Sequence, residues 1–568
     1  MKNKLANHIK EYAAYYGVAL FLLSNGIFFA LSFEVGAGHF KAIFGAAQFF
    51  LFWYLAASLR PAALGSITSA TVLFAYYFLV SYSAVVGAPL DMLLAARRWQ
   101  EFVYLGRSYM WLVLLLLVTA SLNALIFSRF KKASIRTSVI LFVVVIASLR
   151  IADNELFAFV KQVANGNKGV DFYQERIYDP LVEESVRLKP LSAKPLDGQS
   201  IESNLKHIVM LQMESFNARL ASPSTTPNFL KIASQGFYFP GFYSNSVQTI
   251  LAQENILCSL PSSFAKDLVS DGRSIEVRCL PKLLKPLGYK SSFYASSRLE
   301  FEQTGKFMSE IGFDQVHGYD TMKPGDPQFM WGRQEGVFLE RTFESMKRDG
   351  DESKSLAYIT FEATNHWPFN NASATNSAEL KFSDRLSGSM AKQDEYLGEL
   401  ISGLDSVYPE KDYVLFVFGD HSWPAAIQSD NYFNQRGALD ENFLTSLAVF
   451  VGGRKVGRTI DSGSYSHMDT LPTIMELVGQ PLPTTRFRRS YASVLEGQNP
   501  AEKGKSILLI QPYSDRFLVW MDQTDRYSFN LKQGKITKTA QDGTSPKAEQ
   551  IVAGTLNDSI NLFFNLVK

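Results

Sequence analysis

The sequence is poor in cysteine, with two in 568 residues, and poor in charge, with Asp, Glu, Lys and Arg together making up 19%. Cys258 and Cys279 have no histidine near them in the chain, which argues against a two-cysteine zinc site. The chain contains no internal repeat and no low-complexity tract. Its non-hydrophobic part carries no basic domain of the kind nucleic-acid binders use, which removes nucleic acid as a partner. Aromatic residues are not scarce: 44 Phe and 25 Tyr are too many for an intrinsically disordered chain.

Charge is unevenly divided, although the formal net charge is only +2. Residues 1–152 hold 13 Lys/Arg and 4 Asp/Glu, and the remainder holds 43 against 50. The first segment also contains the long apolar runs. A bilayer core needs about 20 apolar residues in a helix, and five stretches meet or approach that length: Tyr12 to Phe33, Ile43 to Leu59, Leu64 to Val86, Tyr109 to Phe127 and Ser138 to Ile151. Five such runs in a water-soluble domain would leave almost no polar face, so we expect a five-span transmembrane domain over 1–152. Short loops rich in Lys/Arg stay in the cytoplasm. Lys2, Lys4 and Lys10 precede the first run, Arg60 follows the second, and Arg129, Lys131, Lys132 and Arg136 separate the fourth from the fifth. The loop at 89–108 mixes both signs and weakens the contrast. An odd number of spans with a cytoplasmic start places the rest of the chain outside the cytoplasm. Cys258 and Cys279 fall in that part, where a disulfide persists; a bonded pair and a pair of buried thiols both fit.

Residues 153–204 are polar and end in a Pro- and Ser-bearing stretch, and they read as a juxtamembrane linker with one or two helices. From His207 the texture changes. Strand-like runs at Ile208 to Met213, Ser291 to Tyr294, Leu356 to Phe361, Tyr413 to Phe418 and Ser446 to Val451 alternate with amphipathic stretches such as Asn228 to Ala233, Cys279 to Leu287 and Ser387 to Leu404. Such alternation indicates an α/β domain with a mostly parallel sheet, here over 205–505. After 506 the runs Ile507 to Gln511, Phe517 to Met521 and Tyr527 to Asn530 suggest a small antiparallel C-terminal part through 568.

Open α/β sheets gather function at the carboxyl ends of their strands. The first run passes straight into Glu214, and the run at Tyr413 to Phe418 passes into Gly419-Asp420-His421. Two carboxylates and an imidazole on one sheet edge suit Zn, Mn or a related divalent ion. Hydroxyl residues cluster ahead of a helix expected near Ile250. Thr249 there is either an N-cap or a nucleophile whose pKa a metal lowers; spacing alone does not choose.

The ordered set Met213-Glu-Ser-Phe216, Thr226-Pro-Asn-Phe229, the Thr249 segment ending Cys258-Ser-Leu-Pro261, Thr364-Asn-His-Trp-Pro-Phe369, Gly419-Asp-His421 and Asp469-Thr-Leu-Pro-Thr473, behind five spans, resembles the lipoteichoic acid synthase family. That family belongs to the sulfatase-like branch of the alkaline phosphatase superfamily. The resemblance implies a membrane-anchored external domain that moves a phosphoglycerol group from a phospholipid to a glycan or lipid through a phosphothreonine. It implies Glu214, Asp420 and His421 as metal ligands, Thr249 as metal-bound nucleophile, and Arg298 and His366 as contacts to substrate phosphate. The implied ion is Mn or Zn, with Mg as an alternative, and the implied location is a bacterial inner membrane with the catalytic domain outside the cytoplasm. Phosphoethanolamine transfer, ester hydrolysis and a catalytically silent lipid-binding role are the alternative activities.

Two departures bear on substrate and metal count. Lipoteichoic acid synthases have Gly-Lys before the nucleophile where this chain has Val247-Gln248. Glu362, His366 and His467 reproduce the order of a second metal set in two-metal members of the superfamily, against which stands a one-metal centre with the two histidines on phosphate. The formylglycine motif of type I sulfatases is broken at Cys279-Leu-Pro-Lys-Leu283, so sulfate-ester chemistry by that route is not expected.

Overall fold

The protein is seen as a computed structural model that describes four N-terminal helices with a few residues besides, then residues 168–192, most of 205–498, and the strands and helix between 506 and 567. The chain divides into two compact units, Met1–Gly166 and Asn167–Lys568.

In the first unit the described helices are α1 (His39–Ala57), α2 (Ala62–Val86), α3 (Met110–Phe127) and α4 (Ile135–Ser148). They fall on the second to fifth apolar runs; the first, Tyr12 to Phe33, lies almost wholly outside the described residues. At 1.5 Å per residue the 25 residues of α2 span about 37 Å. Among the described residues one helix, over Ala63–Tyr82, is both long and apolar enough to cross a bilayer core, with shorter apolar stretches at Phe44–Ala56 and Val113–Ala124. Phe49, Trp53, Tyr76 and Tyr77 pack into a buried cluster, with Phe49 stacked on Tyr76 at 3.7 Å.

The second unit begins at Asn167, ahead of the boundary near 205 expected for the α/β domain. Residues 168–186, expected as linker, form α5 (Lys168–Tyr173), a π-helical turn (Gln174–Tyr178) and α6 (Asp179–Val186). Tyr173, Tyr178 and Val182 are fully buried. The Tyr173 hydroxyl donates to the Ser262 carbonyl at 2.8 Å, and Arg273 pairs with Asp179 at 2.9 Å, so this segment is built into the α/β unit.

The ten strands that follow are β1 (His207–Met213), β2 (Phe237–Phe239), β3 (Phe242–Tyr243), β4 (Lys290–Ala295), β5 (Gln315–His317), β6 (Ser355–Phe361), β7 (Tyr413–Gly419), β8 (Leu447–Val451), β9 (Arg458–Thr459) and β10 (Tyr465–Ser466). Eight of them make one sheet in the order β5-β4-β6-β1-β7-β8-β2-β9. From β5 to β7 all pairs are parallel; β8 then runs antiparallel to both β7 and β2. β1 and β7 are buried at every position, as expected for strands covered on both faces. Val209, Leu211, Ile359, Leu415 and Val417 send one set of side chains into a core shared with helices α7 (Pro227–Gln235), α9 (Glu335–Asp349) and α10 (Phe382–Val407). Between α7 and α9 lies α8 (Thr249–Cys258), in which every residue after Thr249 is buried.

Five further strands, β11 (Ile507–Gln511), β12 (Phe517–Met521), β13 (Asp525–Asn530), β14 (Lys535–Ala540) and β15 (Glu549–Ile551), form an antiparallel meander, two more than the sequence pattern suggests. It docks on the segment leading to α8: the Ile510 amide donates to the Asn245 carbonyl at 2.9 Å, and Asn245 Nδ2 donates to the Leu508 carbonyl at 2.8 Å.

Candidate active site

β1 and β7 are parallel neighbours with Met213 opposite Gly419, so the next residue of each strand, Glu214 and Asp420, emerges side by side. The backbone is held tightly there. The Asp420 amide donates to the Met213 carbonyl at 3.1 Å and the Glu214 amide to the Phe361 carbonyl at 3.0 Å. A Cβ at Gly419 would lie 2.7 Å from that of Phe216, which explains a glycine at the strand end. Ser215 takes a left-handed conformation, φ 50°, and donates its amide to Asp420 Oδ1 at 3.0 Å. The His421 amide donates to the same oxygen at 2.7 Å.

Glu214, Asp420 and His421 are all buried, and their candidate ligand atoms lie within 4.8 Å of one another. His421 Nε2 is 3.5 Å from both Glu214 Oε1 and Asp420 Oδ2. Burial, and then the charge of Asp420, pushes the Glu214 carboxyl well above its ordinary value. Two buried carboxylates and an imidazole this close form a donor set whose repulsion a divalent cation relieves, and the O,O,N chemistry fits Mn or Zn.

Thr249 opens α8 but does not cap it. Gln248 holds the N-cap position, without a side-chain cap bond. The Thr249 hydroxyl lies 3.0 Å from Asp420 Oδ2 and 3.3 Å from Glu214 Oε2. The N-cap reading is therefore set aside by geometry, and the hydroxyl stands within reach of any ion the three residues hold.

The remaining candidates surround this centre without forming a second one. Among the described residues, Glu214, Asp420 and His421 make the one group of three metal-type side chains that converges. Glu362 accepts hydrogen bonds from Ser297 and, at 3.4 Å, from Gln253; burial, opposed by the Ser297 bond, pushes its carboxyl up to about 7. His467 donates from Nε2 to the Gly419 carbonyl at 2.9 Å and lies against Phe242 and Phe418. Burial brings its pKa down to about 3, so the ring is neutral. His366 donates from Nδ1 to the Trp367 carbonyl at 3.0 Å and packs on the Trp331 ring at 4.2 Å; burial takes its pKa to about 4. The three side chains are tied to different partners. Arg298 follows β4 on the same sheet edge and is half-buried. Cys258, at the far end of α8, is bonded to Cys279.

Several residues that shape the site were not singled out from the sequence. The segment 331–335 runs antiparallel to the continuation of β4, through a Ser297–Gly332 bridge and an Arg333 amide bond to the Ser296 carbonyl at 2.8 Å. It brings Trp331 to His366. Glu302 accepts the Ile250 amide at 3.2 Å, one residue beyond Thr249. Asn365 Nδ2 donates to the Glu214 carbonyl at 2.8 Å.

A mostly parallel sheet with a hydroxyl, two carboxylates and an imidazole on its carboxyl edge defines an α/β protein built round a candidate divalent-cation centre. Residues 206–480 match the sulfatase family model. Phosphoglycerol transferase I of Xanthomonas campestris is 25% identical over 308 residues, which are 50% of this chain and 42% of that protein. Phosphoglycerol transferase I of Salmonella choleraesuis is 26% identical over 212 residues, 35% of this chain and 26% of that protein. The chain thus spans less than half the length of these curated relatives. Among solved structures, a lipoteichoic acid synthase from Listeria monocytogenes superposes with a TM-score of 0.52 at 17% identity, covering 69% of this chain and 97% of that one. A Vibrio parahaemolyticus protein of the alkaline phosphatase superfamily gives 0.50 at 16%, covering 71% and 95%. The sulfatase match falls on the part of the chain that carries Glu214, Thr249, Asp420 and His421.

Proposed function

We propose that the protein is a membrane-anchored, metal-dependent transferase that moves a phosphoglycerol-type head group from a phospholipid to an extracytoplasmic glycan or lipid. The single observation that carries this is the Thr249 hydroxyl, 3.0 and 3.3 Å from the Asp420 and Glu214 carboxylates. An ion held by Glu214, Asp420 and His421 would supply Lewis acidity, lowering the pKa of a hydroxyl and offsetting charge on phosphate oxygens.

This chain's residues do the rest. Thr249 sits at the start of α8, so its oxygen lies near the positive end of the helix dipole, where negative charge is favoured. Its oxygen attacks phosphorus, the bond from phosphorus to the diacylglycerol oxygen breaks, and the hydroxyl proton passes to that leaving oxygen. The glycerophosphoryl group is then a diester of Thr249. An acceptor hydroxyl attacks the same phosphorus and returns the proton to Thr249. His366 and Arg298 hold the phosphoryl oxygens; a phosphate charge arriving beside His366 favours its protonated form and turns the ring into a donor at both nitrogens.

The N-terminal helices supply the anchor. Side chains exposed on α3 and α4 include Trp111, Leu114, Leu115, Val118, Ile140, Phe142 and Val143, an apolar surface suited to lipid. Five spans with a cytoplasmic start would put the α/β unit outside, in a bacterial inner membrane, facing a donor that stays in the bilayer. The test is mass spectrometry of the Thr249 peptide after incubation with mixed phospholipids. A glycerophosphoryl adduct is expected; a phosphoethanolamine adduct reassigns the donor, and no adduct on wild-type protein refutes transfer through Thr249.

A further inference from the structure

The phosphate-holding side of this site is made of two loops, the one after β4 carrying Arg298 and the one after β6 carrying His366. Each loop is held locally by turn bonds, Phe301 amide to Arg298 carbonyl at 3.2 Å and Phe369 amide to His366 carbonyl at 2.8 Å, and contacts of this kind need further support to be fixed at the sub-ångström level. The side chain that meets the β6 loop from inside is a carboxylate. Glu335, the first residue of α9, is fully buried. Its Oε1 accepts the backbone amides of Ala363 at 2.8 Å and Thr364 at 2.9 Å, and its Oε2 accepts the Thr364 hydroxyl. Burying a carboxylate costs several kcal/mol unless it is fully paired, and here the pairing is spent on the backbone between Glu362 and His366.

Three further contacts connect that backbone to the rest of the site. Ser296, at the end of β4, accepts the Glu362 amide on its hydroxyl at 3.0 Å, joining the two loops. Asn365, next in the chain after Thr364, donates to the carbonyls of Glu214 at 2.8 Å and Ser215 at 3.3 Å. Trp331, four residues before Glu335, packs on the His366 ring and donates to the Trp367 carbonyl at 2.8 Å. The 331–335 segment therefore grips the β6 loop at both ends, with Trp331 on the imidazole and Glu335 on the amides.

The geometry points to Glu335 as a positioning residue that sets His366 for its contact with the transferred phosphate. It touches neither substrate nor metal ligands in this role; it acts through the amides of residues 363 and 364. This goes beyond the transferase reading but rests on its assignment of His366 to the phosphate.

The test uses the full-length protein with Mn2+ and inorganic phosphate as probes, and the variants Glu335→Ala, Glu335→Gln and Thr364→Ala. Glutamine keeps one oxygen for the two amides and presents an NH2 group that the Thr364 hydroxyl can accept, so it should restore most of the function. The expected result is a loss of phosphate affinity of about tenfold or more in Glu335→Ala and a smaller loss in Thr364→Ala, with Mn2+ affinity within about threefold of wild type. In a His366→Ala background the Glu335→Ala loss should shrink to about threefold or less, because the residue acts through that histidine. If Glu335→Ala does not fold, Thr364→Ala and its double mutant with His366→Ala decide by the same comparison. Unchanged phosphate affinity, full additivity with His366→Ala, or an equal fall in Mn2+ affinity overturns the proposal. Wild-type protein that binds phosphate but forms no Thr249 adduct refutes the transferase reading alone; wild-type protein that binds no phosphate refutes both.

Discussion

Asp420→Asn separates a cation centre from an ordinary buried hydrogen-bond cluster, because the two predict opposite signs. Asp420 Oδ1 accepts the amides of Ser215 and His421, and Oδ2 faces the Thr249 hydroxyl. Asparagine can keep its carbonyl on the two amides and turn its NH2 toward Thr249, whose oxygen accepts. The fold therefore loses little hydrogen bonding. It also loses a repulsion: two carboxylates with oxygens within 4.8 Å repel by about 3 kcal/mol at an effective dielectric near 20, an upper limit where one is partly protonated. In EDTA-treated protein the variant should match or exceed wild type by about 1–3 kcal/mol, a rise of a few degrees in melting temperature. With Mn2+ at about 100 times the dissociation constant, wild type gains about 2.7 kcal/mol. The variant, with one anionic ligand fewer, should gain far less. Differential scanning calorimetry with EDTA and with Mn2+ reads both effects. An EDTA-treated variant melting well below EDTA-treated wild type, or an equal Mn2+ response in the two, would refute the reasoning.

The same pair sets a pH dependence. Burial and Asp420 raise the Glu214 carboxyl above its ordinary value of 4.5. A raised folded-state value means the native protein takes up a proton on folding, so this group's contribution is complete below that ordinary value and is lost as pH rises through the raised one. Metal binding must displace that proton, so Mn2+ affinity should climb over the same interval. Calorimetric titration at several pH values checks it, and a flat profile would count against the coupling. Thr249→Ser preserves the hydroxyl and should still form the adduct, whereas Thr249→Ala should abolish it with Mn2+ affinity retained; intact-protein mass spectrometry distinguishes them. Gly332→Ala would put a Cβ 2.3 Å from the Ser296 carbonyl oxygen, a backbone atom with little room to yield, and should destabilise by about 1–3 kcal/mol in denaturant titration. Cys258→Ser should cost about 2–4 kcal/mol and remove the sensitivity of the melting temperature to reductant.

The strands that carry the metal-type residues were readable because β1, β6 and β7 are covered on both faces and so appear as unbroken apolar runs. β2 and β9, of three and two residues, were not, since strands that short exist only through their partners. The helices expected within 153–204 are present at Lys168–Tyr173 and Asp179–Val186, joined by a π-helical turn at Gln174–Tyr178, but their composition did not show that Tyr173, Tyr178 and Val182 are buried in the α/β unit. Glu362 and His366, four apart, are joined by a turn and hydrogen-bond to different partners, Glu362 to Ser297 and His366 to the Trp367 carbonyl. Glu335 gave no signal, and Asn365 appeared only as part of the Thr364 to Phe369 motif with no role of its own, because both bind backbone groups of distant segments, and such groups leave no trace in side-chain type.

The sheet order divides the site into halves with different kinds of support. Glu214 and Asp420 leave adjacent strands in register, and His421 follows at once, so the cation half is set by backbone hydrogen bonds of the sheet itself. Arg298 and His366 follow β4 and β6 in irregular loops, so the half proposed to hold phosphate depends on side chains such as Ser296, Glu335 and Asn365. Asn365 is the link, since its donation to the Glu214 and Ser215 carbonyls ties the β6 loop to the β1 turn, where Ser215 already holds a left-handed conformation. Asn365→Ala would free both carbonyls and let the turn relax. It should therefore weaken Mn2+ and phosphate binding together, whereas Glu335→Ala should weaken phosphate binding alone. Measured in parallel, the two variants test whether the halves are coupled through this one side chain. A loss confined to phosphate in Asn365→Ala would show the cation half to be self-sufficient.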